Sequence, residues 1–278
     1  MKNNLWLAFL LGIFISCKSN TKQPVLKSTE TTPLMDNSKL LIAEFKPIIQ
    51  GVWVKSAYID KVIQTKSPLA AAGEDNGMTT MIINTDQIAG DSISVGAGWN
   101  NHDGSNLILR FKAGSQKATI QFGTGDLGYS VKGRDTILTT YWPGEKDKSK
   151  MIATHYKRAF KKNTEELGLG LDYMINKGII AGNYILTDDS GNKSKVNFNA
   201  DGSVNGILNF KKYGINIDLN SDVMDNLDEI GFDFNRKGHK SYSFKINADT
   251  LMLYETKPNT DSTLLILDEL KYKLVKQK

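Results

Sequence analysis

Apolar and polar residues alternate one by one through much of this chain, and that period of two is what most restricts the folds open to it. Tyr213, Ile215, Ile217 and Leu219 alternate with Gly214, Asn216 and Asp218, and Tyr242, Phe244 and Ile246 alternate with Ser241, Ser243, Lys245 and Asn247. Upstream, Ile93 and Val95 alternate with Ser92 and Ser94, and Ala118, Ile120 and Phe122 with Lys117, Thr119 and Gln121. Successive side chains of a strand point to opposite faces, so each run predicts an antiparallel strand with one buried side. Turn signals recur at short intervals, among them Asp103-Gly104, Ala113-Gly114, Lys132-Gly133, Asp201-Gly202 and Lys237-Gly238. Short strands joined by such turns build meanders.

The chain carries this pattern twice. Leu40, Leu41, Phe45, Ile48 and Ile49 have helical spacing and run into Gly51-Val52-Trp53. Leu167, Leu171, Met174 and Ile175 have it again, after a candidate cap at Asn163 or Thr164, and run into Gly182-Asn183-Tyr184. The ends correspond as well: Asp135-Thr136-Ile137-Leu138 precedes His155-Tyr156-Lys157, and Asp249-Thr250-Leu251-Met252 precedes Lys271-Tyr272-Lys273. This order of landmarks indicates an internal duplication. Each unit holds about eight candidate strands, and a sheet of that size tends to close on itself because closure removes its exposed edges. The predicted fold is all-β: two tandem up-and-down antiparallel β-barrels, each preceded by a short helix, over residues 37–160 and 161–278.

The N-terminus has a different logic. Lys2 precedes an apolar or small run from Leu5 to Ile15, and Ser16-Cys17 follows. That layout is a secretion signal over residues 1–16, too short to span a bilayer as a helix. Cys17 is the chain's single cysteine, so internal disulfides and cysteine-based zinc sites are excluded. Residues 17–36 are rich in Ser, Thr, Lys, Gln and Pro with few large aliphatics, and read as a flexible tether with a reach of about 25 Å.

Two resemblances follow from these residues. Phe14-Ile15-Ser16-Cys17 resembles the lipobox of bacterial lipoproteins, whose cysteine is acylated and becomes the first residue of the mature chain; the alternative is an ordinary cleaved signal or an anchor helix. A helical entry, Gly51-x-Trp53 heading the first strand, an up-and-down run and a basic residue on the last strand resemble the lipocalin group of the calycin barrels. Gly182 and Tyr184 repeat the motif with tyrosine for tryptophan, and Asn197 to Ser203 resembles a hairpin of the lipocalin-like lipoproteins common in Bacteroidetes. The resemblance implies that a basic side chain lies over each ring: Lys157 or Arg158 over Trp53, and Lys273 over Tyr184. It also implies a cavity for a small, often apolar ligand, and a protein held on the bacterial outer membrane, on its periplasmic or surface side, by a lipid at Cys17.

Catalytic patterns are not visible. His102, His155 and His239 have no metal-ligand spacing, and there is neither a nucleophile elbow nor a phosphate-binding glycine loop. Asn197-x-Asn199-x-Asp201-Gly202 follows half of a calcium loop, but Leu208 stands where its bidentate glutamate belongs, so a hairpin turn is expected. No enzyme, metal or cofactor is therefore expected. The formal net charge of +5 is spread among acidic residues, which argues against a nucleic-acid partner. The local basic cluster Lys157, Arg158, Lys161 and Lys162 reads as a solvated connector, against attraction to anionic lipid head groups or glycans. One loop gathers an aromatic ring, amides, a histidine and a carboxylate: Trp99, Asn100, His102 and Asp103 are the candidate ligand mouth, against a hairpin with Trp99 packed over a barrel end. Two functions stay open, carriage of a small apolar or glycan-derived ligand, and an interaction module with filled barrels that binds another envelope protein.

Overall fold

The computed structural model describes residues 37–277 apart from 145, 163, 188–189, 220–223 and 235. The signal-like segment, Cys17, the tether and the candidate cap Asn163 lie outside the described residues. Helix α1 spans Asn37–Ile49 and runs into strand β1, Gly51–Lys55. Then come helix α2 (Ser56–Thr65), a short 3-10 segment (Leu69–Glu74), and strands β2 (Met78–Ile83), β3 (Ser92–Trp99), β4 (Asp103–Ala113), β5 (Thr119–Phe122), β6 (Gly125–Lys132), β7 (Asp135–Pro143) and β8 (Met151–Phe160). Each strand pairs with the next, and β8 returns to pair with β1, closing an eight-stranded antiparallel barrel.

The inward residues of that barrel are those of the alternation. Ile93, Val95 and Ala97 of β3, Leu109 and Phe111 of β4, and Ile120 and Phe122 of β5 share one core with Trp53, Met81, Leu138 and Tyr156. Helix α1 adds Phe45 and Ile49 to it, with the Phe45 ring edge-on to Tyr129 at 5.2 Å. The interior is filled by these side chains.

The second half starts with helix α3 (Leu169–Ile175), which continues into one π-helical turn (Asn176–Ile180). Its strands are β9 (Gly182–Thr187), β10 (Lys193–Phe198), β11 (Val204–Asn205), β12 (Tyr213–Ile215), β13 (Glu229–Phe232), β14 (Lys240–Asn247), β15 (Thr250–Pro258) and β16 (Leu265–Lys276). They form one antiparallel sheet in the order β11-β10-β9-β16-β15-β14-β13-β12. Its first and last strands pair as in the barrel, and its two edges, β11 and β12, meet at the single bridge Ser203 to Lys212. Aromatic rings fill the inner face: Phe198 contacts Tyr184, Tyr213 and Phe232 at 5.0 to 6.4 Å, and Phe210 stacks on Phe232 at 4.7 Å.

Three sequence expectations are corrected. Helix α3 begins at Leu169, so Thr164 is not its cap; the Thr164 hydroxyl instead accepts from the Glu166 amide at 3.2 Å. Strand β12 ends at Ile215 rather than running to Leu219. Between β1 and β2, where strand was expected to follow strand, the chain forms α2, whose Tyr58, Ile59 and Val62 share a face at helical spacing. Those three residues, with Val54 and Ala71, are buried in the core of the second sheet. Residues 35–278 accordingly form one compact unit. No helix among the described residues is long and apolar enough to cross a membrane.

Candidate functional site

The Gly-x-aromatic motifs build the same local structure twice. Gly51 has φ +122°, and a Cβ there would lie 2.2 Å from the Phe160 carbonyl oxygen, so only glycine lets β1 start against the end of β8. Two residues on, the Trp53 indole donates to the Ile49 carbonyl at 2.8 Å and is wholly buried. The Tyr184 hydroxyl donates to the Ile180 carbonyl at 2.6 Å across the same four-residue span. Each aromatic thus ties the first strand of its unit to the last turn of the preceding helical segment.

A cation covers each ring. The Arg158 guanidinium lies 4.4 Å from the centre of the Trp53 ring and donates to the Ile48 carbonyl. Lys276 lies 5.7 Å from the centre of the Tyr184 ring, pairing with it in register. Burial pulls both cations below their ordinary pKa, with Lys66 adding repulsion at Lys276. The alternation decides which residues reach the rings. On β16, Lys276 shares the inner face with buried Leu274, whereas Lys273 is one residue out of step and exposed, which corrects the expected Lys273 lid. On β8, Lys157 points away from the ring and pairs with Asp60 of α2, so Arg158 takes the position. The segment Lys271-Tyr272-Lys273 is therefore not the structural counterpart of His155-Tyr156-Lys157; Leu274 and Lys276 correspond to Tyr156 and Arg158.

The loop expected as a ligand mouth is a hairpin joining the two halves. Asn100 and Asn101 have φ of 51° and 56°, the left-handed turn that asparagine tolerates. The Asn100 amide oxygen accepts from Gly77 N–H at 2.7 Å, and the Trp99 indole, packed on the first core, donates to Ser105 at 2.7 Å. Asp103 opens β4 opposite Trp99. Asn101 donates to the Ile217 carbonyl at 3.3 Å, and His102 Nδ1 lies 2.7 Å from an Asp218 carboxylate oxygen. Beneath the hairpin is a chamber of about 100 Å³, lined in part by Thr80, Asn101, Leu167 and Ile217. The Asn199 to Ser203 segment is a hairpin turn in which Ser203 occupies the Asp201 carboxylate at 2.9 and 2.6 Å.

The junction holds several half-buried acids. Burial, reinforced by Glu166, pushes Asp172 of α3 up to about 6. Burial also raises Asp75 and Asp228, although Asp228 accepts from the Leu69 amide at 2.9 Å. His102 is raised by its bond to Asp218 and by that residue's charge. A group whose folded pKa is raised binds its proton more tightly in the folded state. Its stabilising contribution is full below the unfolded value and is lost as pH rises through the folded value. All four groups act in this direction, Asp172 between about 4 and 6 and His102 above 6.5. The turn acids Asp147, Asp201 and Asp261, held low by hydrogen bonds, act oppositely only in stronger acid. Thermal stability should therefore peak in mild acid and decline toward alkaline pH. Asp172→Asn should flatten that slope between about pH 4 and 6 and stabilise the protein by about 1–3 kcal/mol at neutral pH. A melting-temperature profile unchanged in the variant would show that Asp172 ionises normally.

Two features of the junction escaped sequence reasoning. Leu167 rests on an outer patch of the barrel floored by glycines: a Cβ on Gly104 would sit 2.9 Å from it, and one on Gly96 3.3 Å. Gly170 brings α3 against β1, since a Cβ there would lie 2.6 Å from Val52. The spacing of Gly96 and Gly98, on alternate positions of one strand, was the available signal for a contacted outer face. The sequence matches no protein-family model and no curated protein.

Proposed function

We propose that this chain is an exported lipoprotein of the bacterial outer membrane, anchored through Cys17, whose two lipocalin-like barrels serve as an interaction module for another envelope component. The observation that carries this reading is that the inward side chains of both halves pack into continuous cores, the barrel's with Trp53, Met81, Phe111 and Phe122 and the second sheet's with a run of aromatic rings. A carrier needs room inside its barrel, and many barrels of this size are filled instead. Sharing α2 between the two halves supports the same reading, since a module of fixed shape presents a constant outer surface.

Carriage of a glycan-derived ligand is the second reading. It is favoured by a groove of about 580 Å³ on the outside of the first barrel, where Asn84, Ser94, Asn106 and Glu165 offer hydrogen-bonding groups.

Native mass spectrometry of the soluble form from Lys18 onward separates the two. The interaction module should show no bound small molecule and should take up neither a fluorescent fatty acid nor a glycan fragment; stoichiometric uptake of either overturns it. Crosslinking in intact cells should then give a reproducible protein partner. For the anchor, Cys17→Ala should move the protein out of the membrane fraction, because stable anchoring takes more than one acyl chain and these come with the cysteine.

A further inference from the structure

The basic cluster visible in the sequence, Lys157, Arg158, Lys161 and Lys162, is partly consumed by structure, since Lys157 pairs with Asp60 and Arg158 covers Trp53. Lysines far apart in the sequence meet elsewhere. On the second sheet, Lys193 pairs with Thr187, Lys273 with Met252, and Met252 with Lys245. Thr187 follows Leu186 and Lys273 precedes Leu274, its antiparallel partner, so Lys193, Thr187, Lys273, Met252 and Lys245 form one row across five strands. The next row is Lys195, Ile185, Val275, Thr250 and Asn247. Leu274 and Leu251, between the rows, and Val196, Tyr184 and Phe244, next to them in their strands, are buried, so both rows face away from the core.

Lys193, Lys195, Lys245 and Lys273 are all exposed, and none forms an ion pair among the described residues. Neither row contains a carboxylate. The acids nearest in sequence are Asp249, in the turn between β14 and β15, and Glu269 of β16, four residues before Lys273; Asp188 and Asp189 lie outside the described residues. Val275 is 41% exposed, and Ile185 and Met252 are half-buried between the lysines. With strands about 4.8 Å apart, the face is about 20 Å wide.

We infer that this face of the second sheet docks on an anionic lipid surface. The inference deepens the anchored-lipoprotein reading, on which it rests for bringing the face within reach of a membrane. The distribution of groups favours lipid over an acidic peptide. Strands β9, β16, β15 and β14 are paired on both sides, so they offer no edge for a peptide strand to join. Dispersed ammonium groups on long apolar stems, with Val275, Ile185 and Met252 between them, instead fit a fluid charged surface, with each ammonium at phosphate level.

The test uses residues 35–278, the compact unit, which lacks Cys17, so its result is independent of the anchor. Co-sedimentation with vesicles of equal parts phosphatidylglycerol and phosphatidylcholine should show binding that high salt releases, and phosphatidylcholine vesicles should show none. Lys245→Gln with Lys273→Gln should weaken partitioning about fivefold per lysine. Lys112→Gln with Lys132→Gln, which removes the same charge from the barrel, should leave it unchanged. Absence of phosphatidylglycerol-dependent binding, equal loss in both double variants, or capture by polyglutamate but not by vesicles would each overturn the inference. Retention of Cys17→Ala in the membrane fraction would count against the anchor and leave the vesicle result standing.

Discussion

Trp53→Ala is expected to lower the unfolding free energy by about 3–5 kcal/mol, the range for emptying a fully buried large aromatic site. Three losses coincide. The ring is wholly buried among Phe45, Ile49, Met81 and Tyr156, so its removal leaves a cavity in a filled core. The bond from the indole to Ile49, which ties α1 to β1, disappears. Arg158 then sits half-buried with no ring beneath it, holding only the Ile48 carbonyl, and its Nε already lacks a partner among the described residues. Tyr184→Phe is the contrasting variant, because it keeps the ring and the Lys276 contact and removes only the bond to Ile180. Its expected cost is about 1 kcal/mol. Urea denaturation followed by tryptophan fluorescence and circular dichroism measures both; a loss below 1.5 kcal/mol for Trp53→Ala would mean that the barrel end collapses to refill the space.

Ile59→Ala is expected to destabilise by about 2–5 kcal/mol, and to loosen the second sheet although Ile59 precedes it by more than a hundred residues. Ile59 is wholly buried, and its core partners include Ile175, Ile179 and Ile180 of the second half. Helix α2 hangs from β1 of the barrel, so a cavity at Ile59 weakens the contact joining the two halves. The wild-type protein should melt in one transition. The variant should keep amide protection in β3 and β4 while losing it in α3 and the π-helical turn. Loss of protection confined to the barrel would contradict the shared core. Gly178 makes the same contact from the other side, since a Cβ there would lie 2.5 Å from Ile63.

What could be read in the sequence follows from the range of the forces involved. The alternation at Ile93 and Val95 and at Tyr242 and Phe244 placed residues on the inner faces correctly, because side-chain direction along a strand is a local property. Gly51, Trp53, Gly182 and Tyr184 were visible because helix, glycine and ring are neighbours in the chain. The covering cations were less visible. Arg158 was one of two candidates for Trp53, and Lys276 was passed over for Lys273, because register between distant strands sets which side chain meets a ring. Helix α2 was missed because ten residues of ordinary amphipathic character between two strands gain their stability from packing against the other half. For Trp99, Asn100, His102 and Asp103 the sequence left a ligand mouth open beside a packed hairpin, because clustered polar groups carry no mark of what faces them; Asp218 and the Ile217 carbonyl are supplied from the second half.

The sequence alone therefore determined the strand content, the repeated order of elements and the two aromatic anchors, all consequences of spacing within a few residues. Only the tertiary structure decided that one core holds residues of both halves, which cation covers each ring, and that Lys193, Lys195, Lys245 and Lys273 share a face. Those outcomes depend on pairing between segments far apart in the chain, and the free energy of such pairing resides in contacts that no local pattern records.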